Sequence, residues 1–226
     1  MTRAVVAVVL AGLAGLAGLA GLAVPAAAAP LVVELAPGVT LDWRRGVVVA
    51  HGVGPADRNA PSPEVARVAA ARAAEHQARA RLSAAVGRVP IVGAVLATTE
   101  PAVSAAIERA PLTAVVRATD GSARVEVTIG LEALRQARSG PRTVAGDDGD
   151  PPAIAVDARA LAVTPRVGLG LVSAGAAWHG PLRYVTAPPP GATVVRATAA
   201  APTQLTLAGA GPAPGASVVV VVPPEP

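Results

Sequence analysis

What most constrains this chain is an absence. It has no Phe, and Trp43, Trp178 and Tyr184 are its only aromatic side chains. Fifty-two per cent of its 226 residues are hydrophobic, almost all of them Ala, Val and Leu. Any core must therefore be assembled from small aliphatic groups, each of which buries less area than an aromatic ring and drives folding less. Such a core needs close approach between backbones, so an Ala-rich helix is expected to lie against a sheet at short distance.

The basic residues are all Arg, 19 in number, with no Lys, and the net charge is +4. They are spread along the chain among acids and form no basic run, and the aromatics that stack on bases are missing, so nucleic-acid binding is not expected. There is no Cys, which rules out disulfides, thiolate metal sites and a lipid-modified N-terminus.

The first residues have the layout of an export signal. Arg3 supplies the positive start, an uncharged stretch runs from Ala4 to Val24, and Pro25 precedes the small-residue run Ala26 to Ala29. Cleavage after Ala28 is expected, giving a signal peptide over 1–28 and a mature chain in the periplasm, free or associated with the outer membrane. An uncleaved membrane anchor is the alternative, because the apolar stretch is close to the ~20 residues a span requires.

In the mature chain, residues 29–140 read as an α+β unit, 141–152 as a loop, and 153–226 as a β-rich region packed on the first. Leu31 to Leu35 and Leu41 to Ala50 are expected as strands, ended by a turn at His51-Gly52-Val53-Gly54-Pro55. Ser62 is a good N-cap, Pro63 suits the first helical position, and Gly87 suits the C-cap, so a helix is expected from Ser62 to Val86. Its expected inner face is Val68, Ala71, Ala78, Leu82 and Val86, with Glu75 intruding. Pro90 to Thr98 reads as a strand and Pro101 to Arg109 as a short helix. Leu112 to Thr119 and Ala123 to Leu131 flank Asp120-Gly121, a favoured hairpin turn, and Val125, Val127 and Ile129 alternate with polar residues in the second arm. Beyond the loop, short strands are expected at Ala153 to Asp157, Val167 to Val172, Pro181 to Thr186, Thr193 to Thr198, Thr203 to Leu207 and Ser217 to Val222. The fold class is thus α+β, with one long Ala-rich helix on an antiparallel sheet followed by a β-rich second half.

In order, Asp42-Trp43, Arg45-Gly46, Gly52-Val53-Gly54, the Ala-rich helix ending at Val86-Gly87, the Asp120-Gly121 hairpin, Ile154-Ala155-Val156-Asp157-Ala158-Arg159, Pro165 and Trp178-His179-Gly180 resemble the LPP-twenty lipoprotein family and its exported relatives. That family shares a domain type with the N-terminal part of the flagellar assembly protein T. The resemblance runs from about Leu41 to Val222. It implies one long helix on an antiparallel sheet, a cell-envelope location and a structural or assembly role without catalytic residues. The chain departs from the family in lacking the lipidated Cys, and in carrying Gln77 and Arg79 where the helix usually has an Asp and an aromatic.

No residue cluster has the spacing of an active site. Asp147 to Asp150 lack the further ligands of a calcium loop, Gly52-Val53-Gly54 lacks the third Gly of a dinucleotide loop, and no Ser lies in a G-x-S-x-G elbow. No cofactor and no metal are expected. The candidate partner surface is Trp43, Trp178, Asp157 and Arg159. Each Trp is either a core anchor or an exposed contact, and Asp157 and Arg159 are either a salt bridge or part of a groove. The expected role is a non-catalytic envelope protein acting through contacts with envelope proteins or with itself. Membrane association would come only through partners or an uncleaved signal. The alternatives are a secreted hydrolase using His51 or His179 with a distant acid and Ser, and a ligand-binding module with a groove at Trp178, Arg183 or Tyr184.

Overall fold

A computed structural model describes residues 30–93, 95–140, 154–213 and 216–224. The residues read as a signal peptide, 1–28, and those read as a loop, 141–152, with Asp147 to Asp150 among them, lie outside the described residues. Two sheets are present. The first contains β1 (Val32–Ala36), β2 (Val39–Asp42), β3 (Val47–Gly54), β4 (Leu112–Arg117) and β5 (Ala123–Gly130), antiparallel throughout in the order β1-β2-β3-β5-β4. Three helices accompany it: α1 (Pro63–Val86), α2 (Pro101–Glu108) and α3 (Leu131–Ser139). The second sheet holds β6 (Ile154–Asp157), β7 (Gly170–Ser173), β8 (Ala176–Trp178), β9 (Leu182–Val185), β10 (Thr193–Ala201), β11 (Gln204–Leu207) and β12 (Val218–Val221), in the order β8-β7-β11-β10-β6-β12-β9. The architecture is α+β, a long helix on an antiparallel sheet with a β-rich second half, as the sequence implies.

The long helix starts as its sequence dictates. Ser62 is extended, its Oγ accepts the Val65 N–H at 3.3 Å, and Pro63 opens the first turn. The inner face differs from the expected one. Ala70, Ala74, Ala78, Leu82, Ala85 and Val86 are buried, whereas Val68 is half exposed. A stripe of alanines faces the sheet, because only a methyl-sized side chain lets the helix come as close as it does. Gly87 caps the helix in a right-handed conformation (φ −63°), so its place there does not depend on glycine's access to positive φ.

The closest approach falls on β3, and here the expected turn at His51 to Pro55 is corrected. The strand continues through Gly54, and Val48, Ala50, Gly52 and Gly54 share its buried face. A Cβ at Gly52 would lie 1.9 Å from the Ala74 carbonyl oxygen, and one at Gly54 would lie 1.8 Å from that of Ala70. The two glycines are helix-docking positions within a strand, where a missing side chain marks close backbone approach. The expected single strand from Leu41 to Ala50 is likewise corrected to two, β2 and β3, joined by a turn at residues 43–46. Asp42 Oδ1 accepts the N–H groups of Arg44 and Arg45 at 2.9 and 3.1 Å, and Gly46 supplies the positive φ of 68°.

Polar side chains fasten α1 along its flanks. Gln77 Oε1 accepts the Val53 N–H at 2.7 Å. Arg79 pairs with Glu75 at 2.9 Å and donates to the carbonyls of Ile107 and Ala110 at 2.7 and 3.0 Å, where α2 ends. Arg81 donates to the His51 carbonyl and Arg88 to that of Leu35. Glu75 therefore does not break the inner face; its carboxylate holds Arg79 for the C-terminal carbonyls of α2, which are the negative end of that helix. Gln77 and Arg79 both have structural work here.

The Asp120-Gly121 hairpin forms as expected, with Gly121 at φ 84° and Asp120 Oδ1 accepting both the N–H and the hydroxyl of Ser122. Val125, Val127 and Ile129 are buried. Pro90 to Thr98 does not form a strand; Ile91 makes a single bridge to Val167, and Val92 and Val167 donate to the carbonyls of Val167 and Pro90. Helix α3 is an addition to the elements expected, and it buries Leu131, Leu134 and Arg135.

The second sheet is mixed. β6 lies between β10 and β12, parallel to both, and β12 is also parallel to β9. Val218 to Val221 are all buried, the continuous apolar run expected of a strand covered on both faces. Buried residues from both halves form one continuous cluster, from Leu31 to Val222.

Candidate functional site

The sequence-derived residues fall in different settings. Trp43, in the turn before β3, is 3 % exposed. Its ring meets Tyr184 edge to face, with centroids 5.5 Å apart and planes at 76°. Its carbonyl accepts the Tyr184 N–H at 3.2 Å, while its own N–H donates to Leu31 at 2.9 Å. Tyr184 is fully buried, and its hydroxyl donates to the Arg166 carbonyl at 3.0 Å and accepts the Arg166 N–H at 3.1 Å. Burial raises its phenol to about 12, against 10.0 ordinarily. The two aromatics thus join the two sheets, and the exposed role proposed for Trp43 is excluded by its burial. Tyr184, offered as a groove residue, is likewise interior.

Trp178 ends β8, a strand beyond those expected from the sequence, opposite Leu171 of β7. It is half buried, packing partly on the core, and its ring covers Gly180, whose added Cβ would sit 2.2 Å from Cζ2. The His179 ring lies over Gly170 in the same manner. Trp178 is the only one of the two tryptophans to present an edge to solvent.

Asp157 and Arg159 pair with each other. The guanidinium reaches Asp157 through Nε at 2.9 Å and Nη2 at 2.7 Å. Arg159 holds the Asp157 carboxyl below the usual carboxylate range, first by this hydrogen bond, with Arg196 on β10 adding a weaker attraction. The Arg159 side chain is 51 % exposed and that of Asp157 26 %. This is a surface ion pair, of the kind that contributes little to stability.

A crevice of about 60 Å³ opens where the two halves meet, lined by Trp43, Arg45, Glu132, Arg183 and Ser217 among others. Glu132 is already bound by Arg135, whose Nε donates to both of its oxygens at 2.8 and 2.9 Å, and by Gln136 at 3.2 Å. Arg45 and Arg183 therefore give the opening a positive balance. A wider, mostly apolar groove of about 410 Å³ runs between α2 and α3, lined by Ala102, Ala106, Ala133, Ala137, Ile129 and Arg109.

His51 on β3, His76 on α1 and His179 after β8 are each exposed. Among the described residues, no three His, Asp or Glu side chains are placed to share a metal ion. Among the same residues, no helix is long and apolar enough to cross a membrane.

The surface feature that residue-by-residue reading missed is β4. All six of its residues are exposed, including Leu112 at 43 %, Val115 at 41 % and Val116 at 59 %. The strand lies at the edge of the first sheet. Its sequence, with one charge in six residues, carried no signal of this, since a mostly apolar run reads as a strand covered on both faces.

No protein-family profile matches the chain, and no curated protein matches it.

Proposed function

We propose that this is a non-catalytic protein of the bacterial cell envelope, similar to the LPP-twenty family, that is exported by its N-terminal signal and works through protein–protein contacts. The observation that carries the reading is β4, an uncovered edge strand with large apolar side chains on both of its faces. Exposed, uncharged edges are templates for pairing with another chain, and proteins normally blunt them. The signal-like layout of residues 1–28 and the resemblance that begins near Leu41 support the location and the family. Crosslinking in the envelope fraction, followed by identification of the adducts, tests the reading. Adducts that depend on β4 are expected. A protein that stays in the cytoplasm, or in the envelope forms no adduct at all, refutes it.

A second reading rests on the crevice at the meeting of the halves. Arg45 and Arg183, with Glu132 neutralised by Arg135, suit a small anionic group there. A thermal-shift screen of small carboxylates and phosphates would reveal such binding through stabilisation of the folded state.

A further inference from the structure

We infer that the crevice between the two halves is a binding site for a terminal phosphate group, a phosphomonoester dianion held between Arg45 and Arg183. This rests on the reading of the crevice as a place for a small anion, and names the class of anion.

The turn between β2 and β3 assembles the site. The Trp43 carbonyl accepts the Tyr184 N–H at 3.2 Å, which fastens β9 to the turn. The Gly46 carbonyl accepts the Leu131 N–H at 2.8 Å, which fastens the start of α3 to it. Arg183 precedes Tyr184, and its stem lies over Gly46, where an added Cβ would sit 3.6 Å from its Cγ. Arg45 immediately precedes Gly46. Two cations from distant parts of the chain are thus brought to one crevice. Among the described residues, neither guanidinium makes an ion pair. The one acid lining the crevice, Glu132, is taken by Arg135. A cleft lined by charge of one sign concentrates counter-ions.

Size and charge select the occupant. The crevice holds about 60 Å³, against ~300–1,000 Å³ for pockets that enclose a drug-sized ligand. It takes a single small group and leaves the rest of the carrier outside. With Glu132 and Arg135 cancelling, Arg45 and Arg183 leave two positive charges. A carboxylate or a phosphodiester, each with one negative charge, would leave one cation unanswered. A phosphomonoester carries about −1.5 to −2 at neutral pH and three acceptor oxygens. Guanidinium forks match such oxygens two at a time. Ser217 adds a hydroxyl to the same wall. Leu131 and Glu132, at the positive end of α3, line it too.

Isothermal titration tests this on the protein isolated from cells expressing the full chain. Glycerol phosphate, dimethyl phosphate and acetate would be compared at fixed ionic strength and at a pH where the monoester is a dianion. Glycerol phosphate should bind at least tenfold more tightly than the other two. Arg45→Gln and Arg183→Gln should each weaken it at least tenfold with circular dichroism unchanged, the loss expected when a charge-assisted hydrogen bond is removed. Arg45 is an exposed turn residue, so its variant decides alone if Arg183→Gln fails to fold. Arg159→Ala, outside the crevice, should bind as the native protein does. Sedimentation with phosphatidylcholine vesicles, with and without phosphatidic acid, identifies the carrier. Retention that needs both phosphatidic acid and Arg45 puts the phosphate on a lipid; glycerol phosphate binding without retention puts it on a soluble molecule. If the three anions bind equally and Arg45→Gln weakens them all, the phosphate assignment falls while the small-anion reading of the crevice stands. Absence of binding, or binding indifferent to Arg45→Gln, removes both.

Discussion

Placing a methyl group at Gly54 puts the helix–sheet contact to its strongest test. In the native structure that methyl carbon would sit 1.8 Å from the Ala70 carbonyl oxygen and 2.7 Å from its carbon. Real Cβ atoms essentially never come nearer than 3.0 Å, so helix and strand must part by at least about 1.2 Å. Nothing flexible can absorb this, because the obstacle is helix backbone. A gap of 0.5–1 Å already forfeits a quarter to a half of the dispersion attraction across it, and the parting spreads along Ala74, Ala78 and Leu82, all fully buried. Overpacking of this kind costs ~1–3 kcal/mol and occasionally more. Against it stands a gain of ~0.4–1 kcal/mol from restricting the unfolded chain. A net loss of about 1–2.5 kcal/mol is expected for Gly54→Ala. With a urea slope of ~2 kcal/mol/M, the unfolding midpoint should fall by about 0.5–1.2 M. Ala70→Gly in the same chain should not rescue it, since the clash is with a carbonyl and not with a side chain. Val53→Ala, on the exposed face of the same strand, should cost less than about 1 kcal/mol. If Gly54→Ala unfolds within about 0.5 kcal/mol of the native protein, the account of these glycines as docking positions is wrong.

Other outcomes follow from the same reasoning. Tyr184 is the only tyrosine, so its phenol can be titrated by absorbance without interference, and it should ionise near 12. Because the folded value lies above the unfolded one, the contribution to stability is complete below pH 10 and is lost as pH rises from 10 to about 12, by ~2–3 kcal/mol at most; an unfolding free energy flat across that window refutes the burial argument. Tyr184→Phe leaves the Arg166 N–H and carbonyl without their partner and should cost ~1–3 kcal/mol by chemical denaturation. Arg159→Ala should leave thermal stability within error of the native protein, because its pair with Asp157 is solvated. In a Trp178→Phe variant, the emission remaining from Trp43 should be blue-shifted and resistant to acrylamide; ready quenching would place Trp43 outside the core.

Some of this fold was plain from the residues, and the rest was hidden for identifiable reasons. Ser62 and Pro63 fixed where α1 begins because capping is local chemistry, and Asp120-Gly121 fixed the hairpin because its positive φ is likewise local. The inner face of α1 was misread toward Val68 because hydrophobicity ranks valine above alanine. Distance of approach decides here, and it favours the smaller side chain. Gly52 and Gly54 read as a turn for a related reason: a glycine in a strand declares that something comes close, but the neighbour is a helix that follows later in the chain. At the candidate site, Asp157 and Arg159 were legible as salt-bridge formers, but not as each other's partner, because β6 ends at Asp157 and Arg159 turns back onto it. The burial of Trp43 was not legible, since its partner Tyr184 lies in the other half of the chain. The exposure of β4 depends on which strand stands at the edge, and strand order is a long-range property.

The place of β12 has a consequence for the order of events as the protein is made. Val218 to Val221 lie between β6 and β9, and among the described residues β9 pairs with no strand but β12. A chain emerging from its N-terminus can fold α1 onto its sheet while the second sheet is still incomplete. The polypeptide must be released as far as Val221 before β9 has a strand to pair with, and pairings between distant parts of a chain form slowly. During that interval Tyr184 has no fixed seat, and Trp43 waits without its ring partner. Completion of the second sheet is thus timed by β12, and until then the ring contact that joins the two sheets is missing.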